Sequence, residues 1–367
     1  MEQKRGPLEG VGVTPEFWRG KRVFITGHTG FKGAWLALWL ARLQASVTGY
    51  ALAAPTEPSL FEAARVATIV RSVEGDLRDL DRFRATVRDA APEVVFHLAA
   101  QAIVRASYHD PVGTFSTNLM GTVHVLEACR GVPALRAVVI VTSDKCYEES
   151  TKGKPHGEYD PLGGYDPYAA SKACAEIATA AYRRSFLSQE ETGVAVATAR
   201  AGNVIGGGDW AADRLVSDLI RAYSAGRRAR LRSPHATRPW QHVLDPLSGY
   251  LLLAERLHAN GRRYAEAWNF GPAPKGNATV ETVAGRVAQL WGQGAAWELE
   301  SSPQPREAPM LVLDPAKAHE RLGWRARLDL NTALDWAVSW YKDWYRGHDA
   351  RALTDAQIAR FMEVRQS

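Results

Sequence analysis

The chain has 367 residues, 46% hydrophobic and 23% charged, with 45 Lys+Arg against 40 Asp+Glu for a net charge of +5. These proportions fit one large globular domain or two that share a core, and they exclude disorder, collagen-like repeats and a disulfide-stapled mini-protein. The basic surplus permits anionic partners but is too small to indicate nucleic acid.

In chain order, Arg22–Thr26 reads as a strand because Val23-Phe24-Ile25 is a short apolar run ended by glycine. Gly27, Gly30 and Gly33 follow, then an apolar helical stretch through Leu43. Strands are expected near Ser46–Ala51, Val70–Glu74, Val94–Phe96, Arg136–Thr142 and Val194–Ala199. Helices are expected over Asp79–Ala90, Val112–Cys129 and Asp166–Arg184. Strands alternating with helices imply an α/β fold, a Rossmann-type doubly wound parallel sheet. After Arg200 the texture changes. Arg214–Arg230 is a basic helical stretch, Ser233–Pro239 is rich in turn residues, and Pro303, Pro305 and Pro309 break any long element. A smaller, partly interleaved C-terminal lobe is expected there. The division is 16–200 with about 240–272 for the sheet domain and about 201–239 with 273–345 for the lobe; 1–15 and 346–367 are peripheral tails.

Cys129, Cys146 and Cys174 have no CxxC spacing, so no metal site or disulfide framework is expected. Reduced thiols suit the cytoplasm. Met1–Gly20 lacks the apolar stretch of a signal peptide. The most apolar window, Trp35–Leu43, is shorter than the ~20 residues of a membrane span.

The turn Gly27-His28-Thr29-Gly30-Phe31-Lys32-Gly33 joins a strand to a helix. The first glycine permits a tight turn, the second lets backbone approach a pyrophosphate, and the third allows close helix–strand packing. The helix N-terminus offers its N–H groups to the anion. The pattern predicts a dinucleotide. Asp76-Leu77 follows the third strand, where a carboxylate can accept from an adenine amino group. Leu98, Ala99 and Ala100 follow the fourth, where small residues let backbone lie along the cofactor. The second strand ends Tyr50-Ala51-Leu52-Ala53, without the carboxylate that would bind a ribose hydroxyl or an Arg for a 2′-phosphate, so NAD is only preferred over NADP.

Tyr168 and Lys172 are four apart on a helix and share a face. A nearby ammonium stabilises phenolate, so Lys172 is expected to lower the Tyr168 pKa. Ser143, Asp144 and Lys145 lie at the carboxyl end of the fifth strand, the ligand-binding edge of open parallel sheets. Ser143 can hydrogen-bond a reacting hydroxyl, and Asp144 and Lys145 are an acid and an amine placed on one substrate; a cap and a surface lysine are the alternative. Cys146 is expected to pack. In the second half, Asn203, Arg214, Arg238 and His242, with Gln101 from the first, are the candidates for holding an anionic substrate. Arg227, Arg228, Arg230 and Arg232 read as solvated surface, and Trp210 and Trp240 as packing residues.

The span from about Phe17 to Tyr341 resembles the extended short-chain dehydrogenase/reductases, the NAD-dependent epimerase/dehydratase family. The resemblance rests on TGHTGFKG (Thr26–Gly33), TSDKCY (Thr142–Tyr147), YAASK (Tyr168–Lys172), RAGNVIGGGDW (Arg200–Trp210) and RPWQHVL (Arg238–Leu244). Sibling dehydratases carry Asp-Glu where this chain has Asp144-Lys145, which points to the branch acting on CDP-glucose. The resemblance implies a redox-neutral elimination with NAD. Tyr168 would take the carbon 4 hydroxyl proton, Lys145 the carbon 5 proton, and Asp144 would protonate the departing carbon 6 hydroxyl. It also implies a positioning role for Asn118 near Lys172, a homodimer through the helices at 112–129 and 166–184, and a place in deoxysugar and O-antigen synthesis. A tight Asp144–Lys145 ion pair would hold both groups in the wrong charge state. An epimerase or reductase in which Asp144-Lys145 is idle, a dehydratase for another nucleotide sugar, and a non-catalytic NAD-binding protein stay open.

Overall fold

A computed structural model describes residues 12–149, 154–187, 192–272, 276–301 and 310–364. The strands are β1 (Arg22–Thr26), β2 (Ser46–Ala51), β3 (Arg71–Glu74), β4 (Val94–His97), β5 (Ala137–Val141) and β6 (Ala195–Ala201). Next come β7 (Asn203–Ile205), β8 (Ala229–Leu231), β9 (Thr237–His242), β10 (Ala267–Phe270), β11 (Asn277–Thr279) and β12 (Trp297–Leu299). Seven of them form one sheet in the order β10-β6-β5-β4-β1-β2-β3, every pairing parallel. Both faces are covered, so the central strands are buried at every position, β5 wholly apolar and β4 apolar up to His97. The order reverses between β1 and β4, which opens a crevice at the carboxyl ends of the strands.

Helix α1 (Phe31–Arg42) leaves the glycine turn after β1 and is buried from Gly33 to Leu40. Helix α2 (Leu80–Ala90) starts on the Asp79 carboxylate, which accepts from the Arg82 N–H. Helix α3 (Pro111–Phe115) runs through a π segment, Ser116–Met120, into α4 (Gly121–Cys129). Helix α5 (Pro167–Ser185) begins with Asp166 capping Ala169 N–H and Pro167 in its first turn. These are the crossovers that a parallel sheet requires.

The second half corrects three expectations. The basic stretch 214–230 is helical only over α6 (Leu215–Ser224), since five of its residues are buried and the chain then turns into β8. The segment 233–239 is not all turn: Thr237–Pro239 belongs to β9, which lies between β7 and β11 in a separate small sheet. After α7 (Leu244–Tyr264), α8 (Val280–Trp291) and α9 (Leu330–Tyr345), the tail forms α10 (Ala350–Glu363). That helix is not peripheral. Its Ile358 and Phe361 are buried, and the Phe361 ring meets the Trp39 ring of α1 edge-on at 5.6 Å. At the other end, Thr14 and Trp18 donate hydrogen bonds to the Glu255 carboxylate. Pro303, Pro305 and Pro309 lie outside the described residues, as do 1–11 and 365–367 of the tails. Among the described residues, no helix is long and apolar enough to cross a membrane and no metal-binding cluster occurs.

Candidate active site

The glycine turn is built as a cradle. Gly27 has φ +78°, and a Cβ there would lie 2.6 Å from the Ala99 N. A Cβ on Gly33 would lie 2.1 Å from the Gly27 carbonyl oxygen. Helix α1 starts at Gly30 with no side-chain cap, so its first N–H groups are left for a ligand. This geometry fits the pyrophosphate of a dinucleotide.

His28 does not face that cradle. Its ring packs edge-on against Phe61, its Nε2 lies 2.7 Å from Ser72 Oγ, and burial lowers its pKa to about 4. Leu77 is a core residue. The Asp76 carboxylate is held by the Arg78 guanidinium at 2.9 and 2.6 Å, and that hydrogen bonding lowers its pKa. Asn118 accepts from the Gln101 N–H at 2.8 Å and donates to the Gln101 carbonyl at 3.0 Å and to Ser171 Oγ at 2.9 Å. It thereby fixes the loop after β4 against α5. The Gln101 amide ties this loop to α3, accepting from Ile103 N–H and donating to Thr114 Oγ1, so it is a loop brace rather than a substrate ligand.

At the end of β5, Ser143, Asp144, Tyr168 and Lys172 are all buried. Ser143 Oγ donates to Asp144 Oδ1 at 3.1 Å, while Asp144 Oδ2 has no hydrogen-bond partner among the described residues. Burial raises the Asp144 carboxyl above the usual carboxylate range, against the opposing pull of Lys145, Ser143, Arg238 and Lys32. Lys145 is partly exposed and acts on Asp144 as a nearby charge. The Tyr168 phenol is not lowered as expected. Burial pushes it up to about 12, with Ser143 and Arg214 pulling it down and Lys172 absent from its principal neighbours. Lys172 Nζ donates to the Val141 carbonyl at 3.4 Å, and burial brings its pKa down to about 8. Desolvation outweighs both pulls, so Tyr168 stays a phenol.

The second-half candidates divide. The Arg214 guanidinium lies 3.4 Å from Asp209 and pulls on Tyr168. Arg238 is buried on β9, donates to the Thr237 carbonyl and acts on Asp144. Asn203 opens β7, paired with Trp240. His242 is a correction. Its ring is fully buried between the Trp35 and Trp336 indoles, and burial lowers its pKa to about 3, so it packs the core instead of binding substrate. Cys146 is buried and packs with Tyr147 and Ala173.

Two groups here escape sequence reasoning. Tyr250, midway along α7, is fully buried with its hydroxyl 3.5 Å from Lys32 Nζ and its phenol in the field of Asp144 and Tyr168. Nothing in its local sequence marks it. Glu176 accepts hydrogen bonds from Thr142, Thr198 and Arg200, the last at 2.7 Å, directly under the end of β5. It stands four residues after Lys172, so the spacing that linked Tyr168 to Lys172 could have found it.

The family model of GDP-mannose 4,6-dehydratase matches residues 24–335. The CDP-glucose 4,6-dehydratase of Salmonella typhimurium is 48% identical over 355 residues, covering 96% of this chain and 99% of that protein. Among solved structures, the UDP-glucose 4-epimerase of Thermus thermophilus in complex with NAD superposes with a TM-score of 0.75 at 26% identity, covering 87% of this chain and 98% of that one. The dTDP-glucose 4,6-dehydratase of Bacillus anthracis shares the fold, with a TM-score of 0.71 at 19% identity over 88% of this chain and 96% of that one.

Proposed function

The chain belongs to the GDP-mannose 4,6-dehydratase family, and from that premise we propose that it is an NAD-dependent hydro-lyase converting CDP-D-glucose to CDP-4-keto-6-deoxy-D-glucose. One observation carries the choice of dehydratase over epimerase. Asp144 is buried, pushed toward its neutral form and has an unpartnered oxygen, beside the Ser143–Tyr168 pair that addresses a sugar hydroxyl. An epimerase has no use for such an acid. The Salmonella typhimurium relative supports cytidine as the base and glucose as the sugar.

Gly27, Gly30 and Gly33, the N-terminus of α1, the loop Leu98–Ala100, Tyr168 and Lys172 would hold NAD. Held there, the nicotinamide would supply a reversible acceptor for the hydride that leaves carbon 4 and ends on carbon 6. Tyr168 accepts the carbon 4 hydroxyl proton, with Ser143 orienting that hydroxyl. The phenol must first lose its own proton, which its burial opposes and Ser143 and Arg214 favour. The ketone acidifies carbon 5. Lys145 takes that proton, and Asp144 gives its own to the leaving hydroxyl on carbon 6. Arg214, Arg238 and Asn203 face the diphosphate; the guanidinium groups supply bidentate contacts.

The lobe division at about 201–239 and 273–345 is supported by the separate β7-β9-β11 sheet and by the return of β10 to the main one. Exposed Val112 (79%), Ile177 (57%) and Met120 (44%) on the helices at 111–129 and 167–185 favour pairing with a second copy of the chain. Free cysteines suit the cytoplasm. Incubation with CDP-, UDP-, GDP- and dTDP-glucose, followed by product mass, tests the reading. Loss of one water from CDP-glucose with no net NADH is expected. An unchanged mass with inversion at carbon 4 would make it an epimerase.

A further inference from the structure

We infer that Tyr147 is a positioning residue for water elimination: its hydroxyl, held by Asn269 on β10 and Arg200 on β6, fixes the turn from which Lys145 reaches carbon 5. The inference rests on the dehydratase reading above. In that step the carbon 5–H bond breaks and its proton moves to Lys145. The released electron pair forms the double bond between carbons 5 and 6, and the carbon 6 hydroxyl leaves with the Asp144 proton. Such a step needs a placed base, because a displacement of about 1 Å can cost roughly 10²-fold in rate.

Lys145 has little of its own to place it. The side chain is partly exposed, and among the described residues its amine has no hydrogen-bond or ion-pair partner. Asp144, by contrast, is buried against Ser143. The Lys145 backbone belongs to a single helical turn, Asp144–Cys146, whose front is held by Ser143 Oγ accepting from the Lys145 N–H at 3.2 Å. Tyr147 holds the rear. Its ring is buried and stacks on the His156 ring, with centroids 4.7 Å apart and planes 7° from parallel. Its hydroxyl accepts from Arg200 and donates to Asn269 Oδ1, both at 2.7 Å. Asn269 is fully buried, and its Nδ2 donates to the His156 carbonyl at 2.9 Å and the Asp314 carbonyl at 3.2 Å. Its backbone N–H donates to the Glu158 carboxylate at 2.9 Å. One residue of the main sheet thus anchors the turn, the 154–163 segment and the chain around Asp314. A phenyl ring at 147 would keep the stack on His156 but lose both hydroxyl contacts. Tyr168 is placed separately, by Asp166 capping the Ala169 N–H at 2.8 Å, so oxidation at carbon 4 does not depend on this anchor.

Rapid-quench analysis of NAD-loaded Tyr147→Phe, with CDP-glucose and its carbon 5-deuterated form, separates positioning from packing. Oxidation at carbon 4, read as substrate-dependent reduced nicotinamide, proceeds at the wild-type rate, while dehydration falls by up to roughly 10²-fold. Reduced nicotinamide therefore accumulates, and the carbon 5 isotope effect on kcat rises as that step becomes limiting. Added to Lys145→Met, Tyr147→Phe slows dehydration no further, because both changes remove one function. Asn269→Ser, which leaves the Tyr147 hydroxyl with Arg200, gives the same selective loss and takes its place if Tyr147→Phe does not fold. Dehydration at the wild-type rate with an unchanged isotope effect would overturn the inference. So would an equal fall in oxidation and dehydration with a lowered melting temperature, the mark of a packing residue. Further slowing in the Lys145→Met background would also overturn it, since Tyr147 would then act on some other group. If wild-type enzyme releases no water from any nucleotide sugar, the dehydratase reading itself fails.

Discussion

Two buried carboxyls border the end of β5, and they titrate in opposite directions. Glu176, under the strand, accepts from two threonines and an arginine, and its pKa is lowered despite the burial that opposes this. Arg200 in turn donates to the Tyr147 hydroxyl, which donates to Asn269, so the floor of the site is a connected network. Asp144, above it, has one serine contact and an empty oxygen, and its pKa is raised. The same side-chain chemistry gives an anchor where both oxygens accept hydrogen bonds and a proton carrier where one accepts none.

The contrast can be broken at either end. Asp144→Asn should cost the most, roughly 10²–10⁴ in dehydration rate, as expected for a lost general acid. Substrate-dependent appearance of reduced nicotinamide should persist, because oxidation at carbon 4 does not need the acid. Glu176→Gln should instead act on stability. Breaking a buried pair costs about 3–5 kcal/mol in denaturant unfolding, and replacing Arg200 as well should recover part of it. The Glu176 contribution has a sign: its folded pKa is depressed, so its stabilisation is present above the unfolded carboxyl range and is lost on acidification through the folded value.

A smaller effect sharpens the picture of the buried floor. His97 on β4 spends both ring nitrogens on Thr26 and Thr122, and burial, with Lys172, lowers its pKa to about 3. The unfolded chain binds that proton near pH 6.5. His97 therefore stabilises fully above that pH and loses its contribution as pH falls toward 3. The wild-type slope in that window should exceed that of His97→Gln by up to about 1.4 kcal/mol per pH unit. The smallest change belongs to the surface. Arg230 touches Glu298 and Glu300 at 3.6 and 3.7 Å while 67% exposed, so Arg230→Ala should move stability by less than about 1 kcal/mol.

The first half was legible because its signals are local. An apolar run ended by glycine defines β1, and the expected strands at 46–51 and 94–96 match β2 and β4 to within a residue. Ser143, Asp144, Tyr168 and Lys172 converge because strand ends and helix periodicity place them without reference to distant chain. Their protonation was not legible. The Tyr168 pKa depends on how deeply later segments bury it, and no spacing reports that. His242 was misread for a related reason: the Trp35 and Trp336 rings that enclose it come from opposite ends of the chain. The last helix was missed because its tail is charged overall, while Ile358 and Phe361 suffice to dock it on α1.

The π segment at Ser116–Met120 carries a consequence for how this protein can vary. A π bulge is one residue too many for the α-helical ladder, and Asn118, which ties the loop after β4 to α5, sits inside it. Removing one residue there would let the ladder close while the flanking helices keep their faces, because a bulge takes up its extra residue locally. Between 116 and 120, the identity of Asn118 is therefore held more tightly than chain length: a deletion that spares it shortens the helix by one residue, whereas losing its amide opens the clasp.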